Sequence, residues 1–267
     1  MEMQRPIHEL FIDDSGAGAR STGDPAAAPP IVFLHSAAGN TTHFAAQLAH
    51  LREGGRRSIA FDFRGHGRSA PPPDGDYSIA GLAADVARVA DALELERFVL
   101  AGHSMGGAAA VAYAGAHPQR LAGLLLLDPA SDGRALPADL RAGVIAALRS
   151  PAYLKTVEDY WAPMLEASSP AVRARLAADL RSTRREALVE TLASLFEFDP
   201  VTPLRRYPGP ALALITRFNQ TPASYQALVP RLPHRQIDGV GHWLHLDAPE
   251  VVNREIDQFL AVIAPAP

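Results

Sequence analysis

Continuous apolar runs alternate along the chain with segments whose larger apolar residues step by three and four. The runs "IVFLH" (31–35), "SIAFDF" (58–63), "RFVLAG" (97–102), "LAGLLLLD" (121–128) and "PALALIT" (210–216) are short and apolar at successive positions. They fit strands buried on both faces, where alternation with polar residues is lost. A shorter strand is predicted in "HELFIDD" (8–14), followed by a Gly/Pro/Ala-rich loop through "GAGARSTGDPAAAPP" (16–30).

The intervening patterns are helical. In residues 78–95, Ile79, Leu82, Val86, Val89 and Leu93 fall on one face and Ser78 stands at the N-cap position. "MGGAAAVAYAGAHP" (105–118) predicts a small-residue helix ended by Pro118. Near the C-terminus, Asp247 and Glu250 read as a capping box ahead of Val252, Ile256, Phe259, Leu260 and Ile263. Strands alternating with helices imply βαβ units, hence an α/β fold with a mostly parallel, doubly wound sheet. Residues 133–198 break the rhythm: four helical patterns follow one another without a strand, several opening at proline. This divides the chain into a core (1–132 and 199–267) and a helical insertion (133–198). The insertion is expected as a lid over the carboxyl edge of the sheet, where ligands bind in such folds; packing beside the sheet is the alternative. The "APAP" tail reads as frayed.

Composition narrows the function. The chain has 267 residues, 48% hydrophobic and 20% charged, with a net charge of −4 and no cysteine. That is ample for a large core and offers no basic surface for nucleic acid or anionic lipid. Disulfides, thiolate catalysis and Cys-ligated metal are excluded. No signal peptide or membrane span is legible, so the expectation is a cytoplasmic protein, monomer or homodimer, acting on a small molecule.

The strongest chemical signal is "FVLAGHSMGG" (98–107), which places Gly102, His103, Ser104, Met105 and Gly106 in a G-x-S-x-G pattern between a predicted strand and a predicted helix. That is the setting of a nucleophile elbow: the serine sits on a strained turn at the sheet edge, with a helix N-terminus behind it. A serine hydroxyl needs a base within hydrogen-bond reach. His242, in "IDGVGHWLHLDAPE" after a short last strand and before the last helix, is the best placed of ten histidines. His245 is its nearest rival. His103 adjoins the serine, but its side chain is expected to point elsewhere.

Together, "FLHSAAGN", "FDFRGHGRS", "AGHSMGG", "LLLLDPA" and "GVGHWLHLDAPE" resemble, in order and spacing, the α/β-hydrolase superfamily. The resemblance covers the chain outside the insertion, which it identifies with the family's variable cap domain. It implies an α/β-hydrolase fold, no metal or organic cofactor, and an oxyanion hole from the backbone N–H groups of Ala37 and Met105. Ser36 departs from the family's usual glycine; it either tolerates the same backbone or adds a hydroxyl to the pocket. His35, Arg64 and His66 read as loop-organising residues.

The third group is ambiguous. No Asp or Glu occurs in residues 200–237, where the family most often carries its acid. Either neutral Asn219 or Gln220 orients His242, or the acid is Asp128, which ends "GLLLLDPA"; the competing role for Asp128 is a helix cap, with Asp132, Asp238 or no acid as further alternatives. Serine, histidine and backbone donors point to acyl transfer. The expected substrate is a small to medium hydrophobic ester or lactone, with Trp161, Trp243 and Ser36 near the pocket. Tyr153, Tyr160, Met164, Leu165, Leu195, Phe196 and Phe198 line that pocket or serve as core between helices. A carbon–carbon bond hydrolase, thioesterase, amidase or slow-turnover ligand receptor is the alternative.

Overall fold

A computed structural model describes residues 10–16 and 28–263. The start of "HELFIDD", most of the Gly/Pro/Ala-rich loop and the "APAP" tail lie outside them. Seven strands form one sheet: β1 (Ile12–Asp14), β2 (Ile31–Leu34), β3 (Ser58–Phe61), β4 (Phe98–His103), β5 (Leu121–Leu127), β6 (Ala211–Ile215) and β7 (His234–Gln236). Their spatial order is β1-β3-β2-β4-β5-β6-β7, with only β1 antiparallel to its neighbour. The parallel register aligns Leu34 with Gly102, His103 with Leu127, and Leu127 with Leu214. The residues that follow, His35, Ser104, Asp128 and Thr216, therefore leave the sheet along a single edge.

Every residue of β2 to β5 is buried, which explains why these strands read as unbroken apolar runs. β5 is mostly leucine, a helix former by intrinsic preference; its central place between β4 and β6 overrides that preference. Helices cover both faces of the sheet. On one side α1 (Ala45–Glu53) and α11 (Pro249–Ile263) bury Leu48, Leu51, Ile256 and Leu260 against Phe33, Ala101 and Leu125. On the other, α2 (Ile79–Ala92) and α3 (Met105–Ala116) pack against Leu100, Leu124 and Leu126. Ser78 caps α2 as expected, its Oγ accepting the Gly81 N–H at 3.0 Å. Ile79, Leu82, Val86 and Val89 are each at most 1% exposed; full burial of such side chains contributes roughly 1.5–3 kcal/mol apiece.

After β5 the chain forms four successive longer α-helices with no strand among them: α4 (Ala138–Arg149), α5 (Tyr153–Trp161), α6 (Pro170–Ser182) and α7 (Arg185–Glu197). The remaining α-helices among the described residues are shorter: α8 (Val201–Arg206), which precedes β6, α9 (Tyr225–Leu228) and α10 (Leu244–Asp247). Among the described residues no helix is long and apolar enough to cross a membrane.

One expectation needs correction. Asp247 does not cap α11, because it ends α10, and α11 begins at Pro249. Its carboxylate instead accepts from Ser168 Oγ at 2.8 Å, the Gly241 N–H at 3.1 Å and the Ser169 N–H at 3.3 Å. It ties the segment between α5 and α6 to the loop that carries His242.

The "RGHGRS" loop is held by a buried ion pair. Arg64 donates through Nε and a terminal nitrogen to the fully buried Asp85 at 2.8 and 2.6 Å, and Arg88 shares that carboxylate. Replacing Arg64 by Met would strand Asp85 with one partner. The expected cost is about 3 kcal/mol in urea denaturation, at the low end for a broken buried pair because Arg88 remains. A cost below about 1 kcal/mol would contradict this role.

Candidate active site

Ser104 occupies the turn between β4 and α3 with φ 52° and ψ −116°, a region that side-chain-bearing residues rarely adopt. The turn is so tight that a Cβ on Gly102 would sit 2.3 Å from the Gly106 carbonyl oxygen. One on Gly106 would sit 2.4 Å from the Leu34 carbonyl oxygen. Glycine at both positions is therefore a steric requirement of this elbow. Four non-glycine residues among those described have positive φ: Ala38, Glu94, Ser104 and Asp128. Three of them leave the same sheet edge, and such clustering of strain marks functional sites.

Asp128 follows β5 and is fully buried. One carboxylate oxygen accepts from the Thr216 N–H at 2.7 Å and from Asn219 Nδ2 at 2.8 Å. The other accepts from Thr216 Oγ1 at 2.8 Å and faces His242 Nδ1 at 2.6 Å. An ionised carboxylate only accepts, so the proton in this bond sits on Nδ1, and in the neutral ring Nε2 is then the free acceptor. Asp128 is thus not a helix cap; that role in the following turn falls to Asp132, which accepts the Arg134 N–H at 3.0 Å.

The neutral orienters do not touch His242. Asn219 points its amide at Asp128 and at the Pro129 carbonyl, 2.9 Å away. Gln220 bonds Gln236 at the exposed surface. The carboxylate beside His242 comes from the end of β5, and Asn219, the alternative orienter, donates to that carboxylate. Asp238 bonds Gln236, and Asp132 pairs with Arg134.

The loop carrying His242 is fixed through its backbone. The His242 N–H donates to the Met164 carbonyl at 3.0 Å. Its carbonyl accepts from His103 Nε2, also at 3.0 Å. His103 thus turns away from the cavity, as expected, and pins the segment bearing His242. No motif in the sequence signals this contact, the role of Thr216, the bond to the Met164 carbonyl or the Asp247 clamp.

Ser104 and His242 line one cavity of about 570 Å³, together with Ser36, Ala37, Trp161 and Trp243. From the four-helix segment Tyr160, Met164, Leu195 and Phe196 also face it, whereas Tyr153, Leu165 and Phe198 pack on the core. In the loop after β2, the Ser36 carbonyl accepts from the Gly39 N–H at 2.9 Å and from His35 Nδ1 at 2.8 Å. A trans peptide sets the N–H opposite the carbonyl, so the Ala37 N–H is directed away from the loop interior. His35 Nε2 accepts the Phe63 N–H at 2.9 Å, consistent with a loop-organising role. Met105 opens α3, where N–H groups have no partner within the helix.

Burial lowers the proton affinity of His35, His43, His66, His103 and His245, well below the ordinary range for His35, His103 and His245. His245, the rival base, is 1% exposed, stacks on Phe44 and has neither ring nitrogen hydrogen-bonded. These imidazoles take up protons less readily in the native state than in the unfolded chain, which takes them up below about pH 6.5. Stability is therefore full above that pH and is lost as pH falls through it, by up to about 1.4 kcal/mol per pH unit for each histidine. Urea denaturation at pH 7.5, 6.5 and 5.5 is expected to show this decline, and a flat profile would contradict it.

Comparison with known proteins agrees with this architecture. The family model described as "alpha/beta hydrolase fold" matches residues 29–249. The chain belongs to the α/β-hydrolase fold family. A serine hydrolase-like protein of Danio rerio is 39% identical over 105 residues, covering 39% of this chain and 32% of that protein. The mouse (Mus musculus) sn-1-specific diacylglycerol lipase ABHD11 is 31% identical over 265 residues, covering 87% of this chain and 81% of the lipase. Est816, solved as an N-acyl homoserine lactone degrading enzyme, superposes with a TM-score of 0.76 at 26% identity, covering 94% of this chain and 96% of that one. The chain spans 44%, 32% and 50% of the length of three curated relatives it matches.

Proposed function

We propose that this chain is a serine hydrolase that cleaves a small to medium hydrophobic carboxylic ester or lactone through an acyl-enzyme. The observation that carries the reading is the 2.6 Å contact between His242 Nδ1 and the buried Asp128, with His242 and Ser104 on one cavity. In this reading Ser104 Oγ attacks the carbonyl carbon and His242 Nε2 takes its proton. The N–H groups of Ala37 and Met105 receive the charge that develops on the carbonyl oxygen. Collapse of the tetrahedral intermediate expels the alcohol, which takes the proton from His242. Water, deprotonated by the same imidazole, then attacks the acyl-enzyme and releases the acid. Asp128 stabilises the imidazolium and holds its tautomer without itself becoming protonated.

The substrate class follows from the walls. Trp161, Met164, Leu192, Leu195, Phe196 and Phe218 supply mostly apolar surface. Such a pocket rewards an apolar group and offers few polar partners for a highly hydrated one. The lipase and lactone-degrading relatives act on substrates of compatible chemistry. In the same reading residues 133–198 act as the cap, because α5, α7 and the turn after α5 provide much of this wall. The buried Asp128 beside His242 supports turnover over a slow-turnover receptor.

Hydrolysis of p-nitrophenyl butyrate and labelling by a fluorophosphonate probe test the proposal. Ser104→Ala is expected to abolish both. Asp128→Asn is expected to lower kcat by about 10²–10⁴-fold with the fold intact, since the imidazole tautomer is no longer enforced. Near wild-type turnover in either variant would overturn the assignment of that residue.

A further inference from the structure

The Ser36 hydroxyl sits in an environment that leaves it one direction to act. Ser36 is 2% exposed and lines the cavity shared by Ser104 and Ala37. The indole Nε1–H of Trp243, itself 1% exposed, donates to Ser36 Oγ at 3.3 Å. An indole N–H is donor only, so Ser36 Oγ is the acceptor in that bond and its own proton points elsewhere. No acceptor among the described residues takes that proton. The backbone beneath it is rigid, because the Ser36 carbonyl is held by both His35 Nδ1 and the Gly39 N–H. The hydroxyl is thus a buried donor, anchored from behind and next in the chain to Ala37.

Building on the serine-hydrolase reading above, we propose that Ser36 is a further catalytic residue: its hydroxyl donates a hydrogen bond to the substrate carbonyl oxygen as that oxygen becomes an oxyanion. No bond to Ser36 is made or broken, and its proton stays on Oγ. Two backbone donors and one side-chain donor then converge on a single oxygen. The side-chain donor is oriented by Trp243, the immediate neighbour of His242, so the base and the residue that orients the donor ride on one segment. A donor of this kind gains strength as charge develops in a site closed to water, and its loss falls on kcat more than on KM.

The experiment compares Ser36→Ala with wild type and with Ser104→Ala, using p-nitrophenyl butyrate and an alkyl trifluoromethyl ketone. The ketone forms a hemiketal whose oxygen takes the oxyanion position. Ser36→Ala is expected to lower kcat by roughly 10–100-fold with KM nearly unchanged, and to weaken the ketone by a similar factor. Ser36→Gly removes the same hydroxyl without adding bulk and is expected to show the same loss, which covers the case of a poorly folded alanine variant. If kcat holds in both Ser36 variants while Ser104→Ala is inactive, the inference fails and the serine-hydrolase reading stands. A loss of kcat with no matching loss of ketone affinity also overturns it. An active Ser104→Ala protein would sink the underlying reading itself.

Discussion

The buried carboxylate of Asp128 is the group on which this arrangement depends. Removing a charge from water is expensive, and a carboxylate with no exposure persists only where its oxygens are paired. Thr216 and Asn219 supply three hydrogen bonds from the segment after β6, and His242 supplies the fourth from the loop before α10. The segments that meet there follow β5, β6 and β7. The same pairing that makes the charge tolerable orients the imidazole, so the stability of the fold and the proposed chemistry draw on one set of contacts.

Holding those groups also requires the backbone to accept strain. Ala38, Ser104 and Asp128 all carry positive φ where their strands end. Such conformations cost of order 1–3 kcal/mol each and persist only where surrounding structure over-determines them. The fully buried strands β2, β4 and β5 provide that constraint through parallel pairing in fixed register. A loop alone could not. The second layer of support comes from residues with no chemistry of their own: His103 and Met164 grip the His242 backbone, and Asp247 ties its loop to the turn beyond α5.

Much of the fold was legible in the sequence because buried parallel strands and amphipathic helices leave strong periodic signals. "IVFLH" and "LAGLLLLD" read correctly as strands, and the Ser78 cap was visible from its spacing. Ser104 was legible from glycine spacing, since a turn this tight tolerates no Cβ at Gly102 or Gly106. The partner of His242 was only half legible. A missing acid after β6 favoured Asp128 but left a neutral substitute open, because one-dimensional patterns do not say which strand ends meet. Asn219 was singled out for its position, but its role as a donor to Asp128 depends on a contact across 91 residues of chain. Asp247 misled because Asp followed by Glu three residues later imitates a capping box, whereas its carboxylate serves a long-range clamp.

The central claim is that Asp128 fixes the Nδ1–H tautomer of His242 through a short, buried hydrogen bond. Proton NMR of the folded protein reads this directly, since an imidazole proton so held is shifted far downfield and protected from exchange. The account expects one such resonance, assigned to His242, that disappears on replacing Asp128 by Ala and survives replacing His245 by Gln. Absence of the resonance in the wild-type protein, or its persistence without Asp128, would contradict the account.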